Sequence, residues 1–284
     1  MEPTPVPGDE SVHTVDAMVL GIPGGTSLYV VDAEPPAVID TGSAESPPRV
    51  LSALDALGVD PADVAHVVPT HVHLDHAGGA GALAEACPNA TVHVHERGLP
   101  YLTDRDRLTR LCESVERAVG RPAPFGDPQL VPASRTNALS DGDRIDLGDR
   151  ALDVYDAPGH APHHVALFDP ERGTLFAADA AGMCLWGSLL PTTPPPNFDL
   201  DANLDTVERL AALGPERILY GHFGPGEDAA AELAAYADLL PEWVETVEAL
   251  AREREGVDEI VSALDRRWMS PTVERDVAGV LATR

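Results

Sequence analysis

The stretch THVHLDHAGG, residues 70–79, sets three histidines and an aspartate within six positions directly after an apolar run. For a chain of this histidine content, His-x-His-x-Asp-His is expected by chance about 0.002 times. Neutral imidazoles and carboxylates suit Zn, Fe or Mn. In a loop, His71 and His73 can point one way and Asp75 and His76 another, a geometry that serves two neighbouring metals. Two such ions about 3.5–4 Å apart can share a hydroxide and a carboxylate, and metal binding lowers the pKa of water from about 15.7 toward 7. The expected chemistry is attack on an ester, thioester, lactone or phosphoester, with Asp75 as the group that takes up the released proton.

Such a loop needs a strand to deliver it. VAHVVPT reads as a buried strand running into the cluster, and strand ends are where α/β proteins present ligands. Short apolar runs ended by Gly, Asp or Pro predict strands at VDAMVL, TSLYVV and PAVIDTG, then TVHVHE, DRIDL, ALDVYDA, HHVALFD, TLFAAD and ERILY. Helical spacing marks SAESPPRVLSALDALG, GAGALAEACP, RDRLTRLCESVERAVG, LDANLDTVERLAALG and a long segment beginning DAAAELAAY. Strands and helices alternate in two sets, predicting two sheets covered by helices. His93 and His95 alternate along one strand and read as structural, whereas His163 reads as a surface residue. Segment 96–142 is long enough to form a lid. Segment 182–199 carries Trp186 and Phe198 beside stiff prolines, an apolar wall for an acyl chain.

The cluster resembles the hallmark of the metallo-β-lactamase fold superfamily, and four further motifs occur in that family's order. APGHAPHH resembles the next one, which implies that His160 is a third ligand of the first metal and that His164 supports the ligands from behind. LFAADA is similar to the bridging-carboxylate motif, at Asp179, and ILYGHFGP to the last histidine motif, at His222. PAVIDTG matches the early strand and turn, where Asp40 supports the loop. The resemblance runs from about residue 15 to residue 225. It implies an α/β fold, a four-layer αββα sandwich over residues 1–225, with residues 226–284 a helical extension packed on it. It also implies two divalent ions, zinc first with Fe or Mn as alternatives. His71, His73, His160 and Asp179 would hold one, and Asp75, His76, His222 and Asp179 the other.

His73 argues against the flavodiiron branch, which has Glu there, and Asp179 against the best-known antibiotic-degrading group, which has Cys. The organisation is closest to the hydroxyacylglutathione hydrolase (glyoxalase II-like) branch, implying a metal-bridging hydroxide that attacks a thioester or ester. Alternatives on the same fold are a mononuclear-iron persulfide dioxygenase, a lactonase and a small phosphodiesterase.

Composition narrows the setting. The 284 residues carry 47 acidic against 19 basic side chains, all Arg, for a net charge of −28. At molar salt the Debye length falls to about 3 Å and screens that repulsion, so acid excess without Lys predicts an extreme halophile. The charge argues against nucleic acid or an anionic membrane as partner, leaving a small-molecule substrate. The acidic, proline-rich start lacks signal-peptide character and no 18-residue apolar run follows, which predicts a cytoplasmic protein. Cys87, Cys112 and Cys184 are widely spaced and read as reduced core fillers. Ala and Leu at helical spacing after residue 226 predict packing on the domain or on a second copy, a homodimer.

Overall fold

The computed structural model describes residues 2–283 apart from Trp186, which lies outside the described residues. Strands Thr4–Val6, Asp9–Asp16, Ser27–Val31, Ala37–Ile39, His66–Val68, Thr91–His95 and Thr136–Leu139 follow one another across a seven-stranded sheet. Its first four strands pair antiparallel and its last four parallel. A five-stranded sheet runs in the order Arg217–Tyr220, Thr174–Ala178, Val165–Asp169, Ala151–Asp156, Arg144–Asp146. Only its first pair is parallel.

Period-two alternation explains why these sheets stack. Tyr29, Val31, Ile39 and Val68 of the first sheet meet Val165, Leu167, Phe176 and Leu219 of the second in a core between the sheets. The intervening Leu28, Val30, Val38 and Val67 face outward onto helices Pro47–Leu57, Ala80–Ala86 and Arg105–Val119. On the far side, Ala166, Phe168, Leu175 and Tyr220 pack against Val207, Leu233, Tyr236 and Trp243, which lie on helices Leu200–Ala211 and Ala229–Leu250. Strands buried on both faces read as continuous apolar runs, as VALFD and TLFAA do. The result is the four-layer αββα sandwich.

Three helices begin on an aspartate whose carboxylate accepts a first-turn N–H: Asp104 from Arg107, Asp199 from Ala202 and Asp228 from Ala231. Helix Ala229–Leu250 continues through Pro241, and with helices Val257–Ala263 and Val273–Ala282 it shares the core of the second sheet's outer face. Among the described residues no helix is long and apolar enough to cross a membrane.

Several local expectations are corrected. VDAMVL is not a strand beyond Asp16: the Asp16 carboxylate accepts from Met18 N at 2.8 Å and Gly24 N at 2.9 Å, and Met18 and Leu20 take left-handed φ of 50° and 57°. The chain turns there into a 3-10 segment, Val19–Gly21. Strands Asp9–Asp16 and Thr136–Leu139 and the hairpin of Met183–Leu185 with Ser188–Leu190 were not foreseen, because half-exposed or very short strands carry little apolar signal.

Candidate metal centre

The histidine loop begins where strand His66–Val68 ends, and Asp40 holds it. Asp40 sits at a left-handed φ of 58°, which aspartate tolerates better than most residues. One carboxylate oxygen accepts Thr70 N at 2.7 Å and Thr70 Oγ1 at 2.9 Å, and the other accepts His76 Nδ1 at 2.9 Å. Both ends of the loop are thereby tied to one side chain. The Thr70 hydroxyl, having given its proton to Asp40, is left to accept from His71 Nδ1 at 3.1 Å. Nε2 of His71 and Nε2 of His76 are consequently the nitrogens that face inward.

The second sheet supplies the remaining groups by the same logic. His160 Nδ1 donates to Thr192 O at 3.0 Å, and His222 Nδ1 donates to Gly25 O at 2.6 Å. A carbonyl oxygen only accepts, so the Nδ1 proton is spoken for and each Nε2 is the nitrogen aimed inward. Tyr29 Oη donating to Tyr220 O and Val165 N donating to Thr70 O, at 2.7 and 2.8 Å, stitch the two sheets together beside the site.

The inward atoms converge. His73 Nδ1 lies 3.0 Å from both His71 Nε2 and His160 Nε2. Nitrogens bound at about 2.0–2.1 Å to a tetrahedral ion sit about 3.3 Å apart, close to this spacing. Asp179 follows strand Thr174–Ala178 and lies 3.2 Å from His222 Nε2, 3.5 Å from His160 Nε2 and 3.7 Å from His76 Nε2. Three groups bring their ligand atoms within 4.8 Å: His71, His73 and His160; His71, His76 and Asp179; Asp75, His76 and His222. Each takes two members from the 71–76 loop and one from the second sheet's side.

Asp179 Oδ1 is buried without a hydrogen-bond partner among the described residues. Burying a carboxylate oxygen unpartnered is unfavourable unless a cation answers it. Gly221 makes room: a Cβ there would lie 2.5 Å from Asp179 Oδ1 and 2.6 Å from His76 Cε1. Inward imidazole nitrogens, carboxylates and a buried carboxylate oxygen without a hydrogen bond fit divalent cations.

The electrostatics agree. Burial, reinforced by the neighbouring rings, holds His71 and His73 well below the usual histidine range. Burial also lowers His160, against Asp179. For His76 burial opposes charge, yet Asp179 and Asp40 outweigh it and push the ring up to about 10. His222 is raised by Asp179 in the same contest. Burial works to raise Asp179, but His222, His76 and His160 hold it well below the usual carboxylate range. In the metal-free chain a proton on His76 thus stands where a cation would.

The remaining predicted residues fall as follows. Asp75 is 9% exposed and lines the cleft over the centre. His164 accepts from Asp179 N at 3.3 Å and stacks on His71, with ring centroids 4.7 Å apart. His163 is not on the surface: it is buried, 6.1 Å from the Tyr101 ring, because Ala161–His164 turns back under the loop. His95 is buried against Asp156, and His93 pairs with His66. Phe198 belongs to the outer core with Val207 and Trp268 and is absent from the cleft lining, while Trp186 lies outside the described residues.

The apolar wall of the cleft is Val115, Val119, Phe125, Met183, Pro194 and Pro195. Segments 96–142 and 182–199 both contribute, though through other residues than the two aromatic ones singled out. Thr70, Thr192 and Gly25 were also missed. Thr70 stands directly before His71 and was open to notice, but Thr192 and Gly25 act through carbonyls, which any residue carries.

Residues 21–222 match the metallo-beta-lactamase superfamily. A metallo-beta-lactamase fold-containing protein of Sulfurisphaera tokodaii is 27% identical over 215 residues, 75% of this chain and 78% of that one. A crystal structure of an archaeal superfamily protein from Sulfolobus tokodaii superposes with a TM-score of 0.72 at 25% identity, over 95% of this chain and 98% of that chain. An acyl-coenzyme A thioesterase of Bos taurus is 33% identical over 163 residues, 55% of each chain. A hydroxyacylglutathione hydrolase of Gloeothece citriformis is 33% identical over 165 residues, 56% of this chain and 49% of that one. The chain thus spans about half the length of these last two relatives.

Proposed function

The chain belongs to the metallo-beta-lactamase superfamily, and from that premise we propose that it is a binuclear metal-dependent hydrolase of a thioester or ester. The observation that carries this reading is the position of Asp179 within reach of His76, His160 and His222, with one buried oxygen that has no hydrogen bond. His71, His73 and His160 would hold one ion and Asp75, His76 and His222 the other, with Asp179 between them. Two divalent ions, zinc first with iron or manganese as alternatives, would polarise the scissile carbonyl and acidify water at neutral pH. Asp75 reaches the cleft from the same loop and would accept the proton released on attack. Asp40, Thr70, Thr192 and Gly25 hold the rings in the tautomer that binds metal. Val119, Phe125, Met183 and the prolines exclude water and receive an apolar acyl group. The names of the thioesterase and hydroxyacylglutathione hydrolase relatives support a thioester over a lactone or phosphoester.

The test is metal content by mass spectrometry together with turnover of S-lactoylglutathione and an acyl-coenzyme A. Two zinc ions per chain with thioester cleavage are expected. A single iron with oxygen uptake on a persulfide would replace this reading by the dioxygenase. The acid excess we read as adaptation to molar salt, for which the melting temperature should rise with KCl; a flat or falling curve would refute it.

A further inference from the structure

The cleft over the centre continues into a second opening, and the two share Asp75, Phe125, Met183, His222, Thr272 and Arg275. Apart from the centre's own histidines, Arg275 is, among the described residues, the one basic side chain lining either opening. It stands on helix Val273–Ala282, beyond the last predicted ligand in the chain. Asp276, its neighbour, anchors that helix. Its buried carboxylate accepts Thr193 N at 2.7 Å and Thr272 Oγ1 at 2.6 Å, and its carbonyl accepts Thr193 Oγ1 at 2.9 Å. The adjacent Thr192 carbonyl is the one that orients His160. The position of Arg275 is therefore tied to the metal centre through rigid contacts.

Arg275 is half-buried and, among the described residues, makes no hydrogen bond or ion pair; its charge is felt by Asp276. Of the other carboxylates lining the openings, Asp276 is bonded by its threonines, Asp179 lies among the histidines and Asp75 sits on the histidine loop. A guanidinium held at a cleft mouth with its donors free is suited to bidentate capture of a carboxylate or phosphate. The net charge of −28 would repel an anion at long range, but salt screens that field within a few ångströms and leaves a direct bidentate contact in place.

We propose that Arg275 binds an anionic group on the substrate, so that the cleft takes a thioester or ester with an apolar acyl part and an anionic carrier. This rests on the hydrolase reading for the word "substrate", but the binding step can be measured without turnover. The probes are S-ethyl-coenzyme A, S-ethylglutathione and uncharged S-ethylpantetheine, thioethers chosen so that no thiolate ligates the metal. Their affinities for metal-loaded wild type and Arg275→Ala are compared by calorimetry.

Loss of one fixed charge-assisted pair should weaken an anionic probe about tenfold and leave S-ethylpantetheine within about twofold. Arg275→Lys should fall between. An effect confined to the coenzyme A probe assigns a phosphate, and one confined to the glutathione probe a carboxylate. The proposal is overturned if both anionic probes bind wild type and Arg275→Ala alike, if all three probes weaken together, or if neither anionic probe binds wild type at millimolar concentration. Absence of thioester turnover with the binding difference intact would instead remove the hydrolase reading and leave the anion site.

Discussion

Two sets of histidines sit on the same seven-stranded sheet and behave oppositely. His66 and His93 lie within neighbouring parallel strands, with His66 Nδ1 3.0 Å from His93 Nε2 and Asn137 Nδ2 3.3 Å from His93 Nδ1. They satisfy each other, so both nitrogens of His93 are engaged and none is presented to a third atom. At the strand end His71 and His76 have their outer nitrogens taken by Thr70 and Asp40, and this turns the inner ones toward a common point. Proximity is the same in both sets. What separates a ligand from a packed histidine is an acceptor on the far side of the ring.

The largest break in this contrast should come from Asp179→Asn. Bound metal should fall well below wild type and thioester turnover by more than about a hundredfold, because the carboxylate that lies among His76, His160 and His222 loses its charge. Unchanged metal stoichiometry and activity would end the binuclear reading. Asp40→Asn touches no predicted ligand atom yet should lower metal affinity about 10–100-fold in a chelator competition, since it frees both ends of the loop. An affinity equal to wild type would mean that outer acceptors do not matter here.

A smaller and continuous effect is expected from pH. In the metal-free chain burial disfavours charge on His76, but Asp179 and Asp40 push it up to about 10, so near neutrality an incoming metal must displace a proton. Metal affinity should therefore rise with pH from 7 toward 10, by about tenfold per unit for one displaced proton. The metal-free fold has the opposite trend. Stabilisation from charged His76 is full below about 6.5 and is lost as pH rises through about 10, so its melting temperature should fall over that window. A pH-independent metal affinity would contradict both.

The smallest effect belongs to the other histidine set. Burial, then His66, lowers His93 from 6.5 to about 4, so the unfolded chain binds a proton that the native one refuses. Stability should decline as pH falls from 6.5 to about 4, and His93→Gln should flatten that decline while leaving metal content unchanged. If His93→Gln instead lost metal, the two sets would not be distinct.

The two-sheet sandwich was legible because strands buried on both faces, such as VALFD, announce themselves by uninterrupted apolar residues. Half-exposed Asp9–Asp16 announces nothing comparable, and the turn after Asp16 depends on a carboxylate reaching Gly24, eight residues on. At the centre, the positions that converge are ones where residue type itself limits the chemistry. The cleft wall was harder to read: Phe125 and Phe198 are alike in sequence, and only the placement of helix Leu200–Ala211 decides that Phe198 is core. His163 beside His164 gave no hint that the backbone would bury both rings.

Because each ligand group draws two members from the 71–76 loop and one from the second sheet's side, neither sheet alone offers a complete set. Seating an ion in a full set would accordingly require that the interface around Tyr29, Phe176 and Leu219 has closed. Once seated, an ion would act as a clasp: the sheets could not part without releasing it, and unfolding would slow as free metal rises. During refolding, metal uptake would then report the docking of the two sheets, trailing the formation of either one.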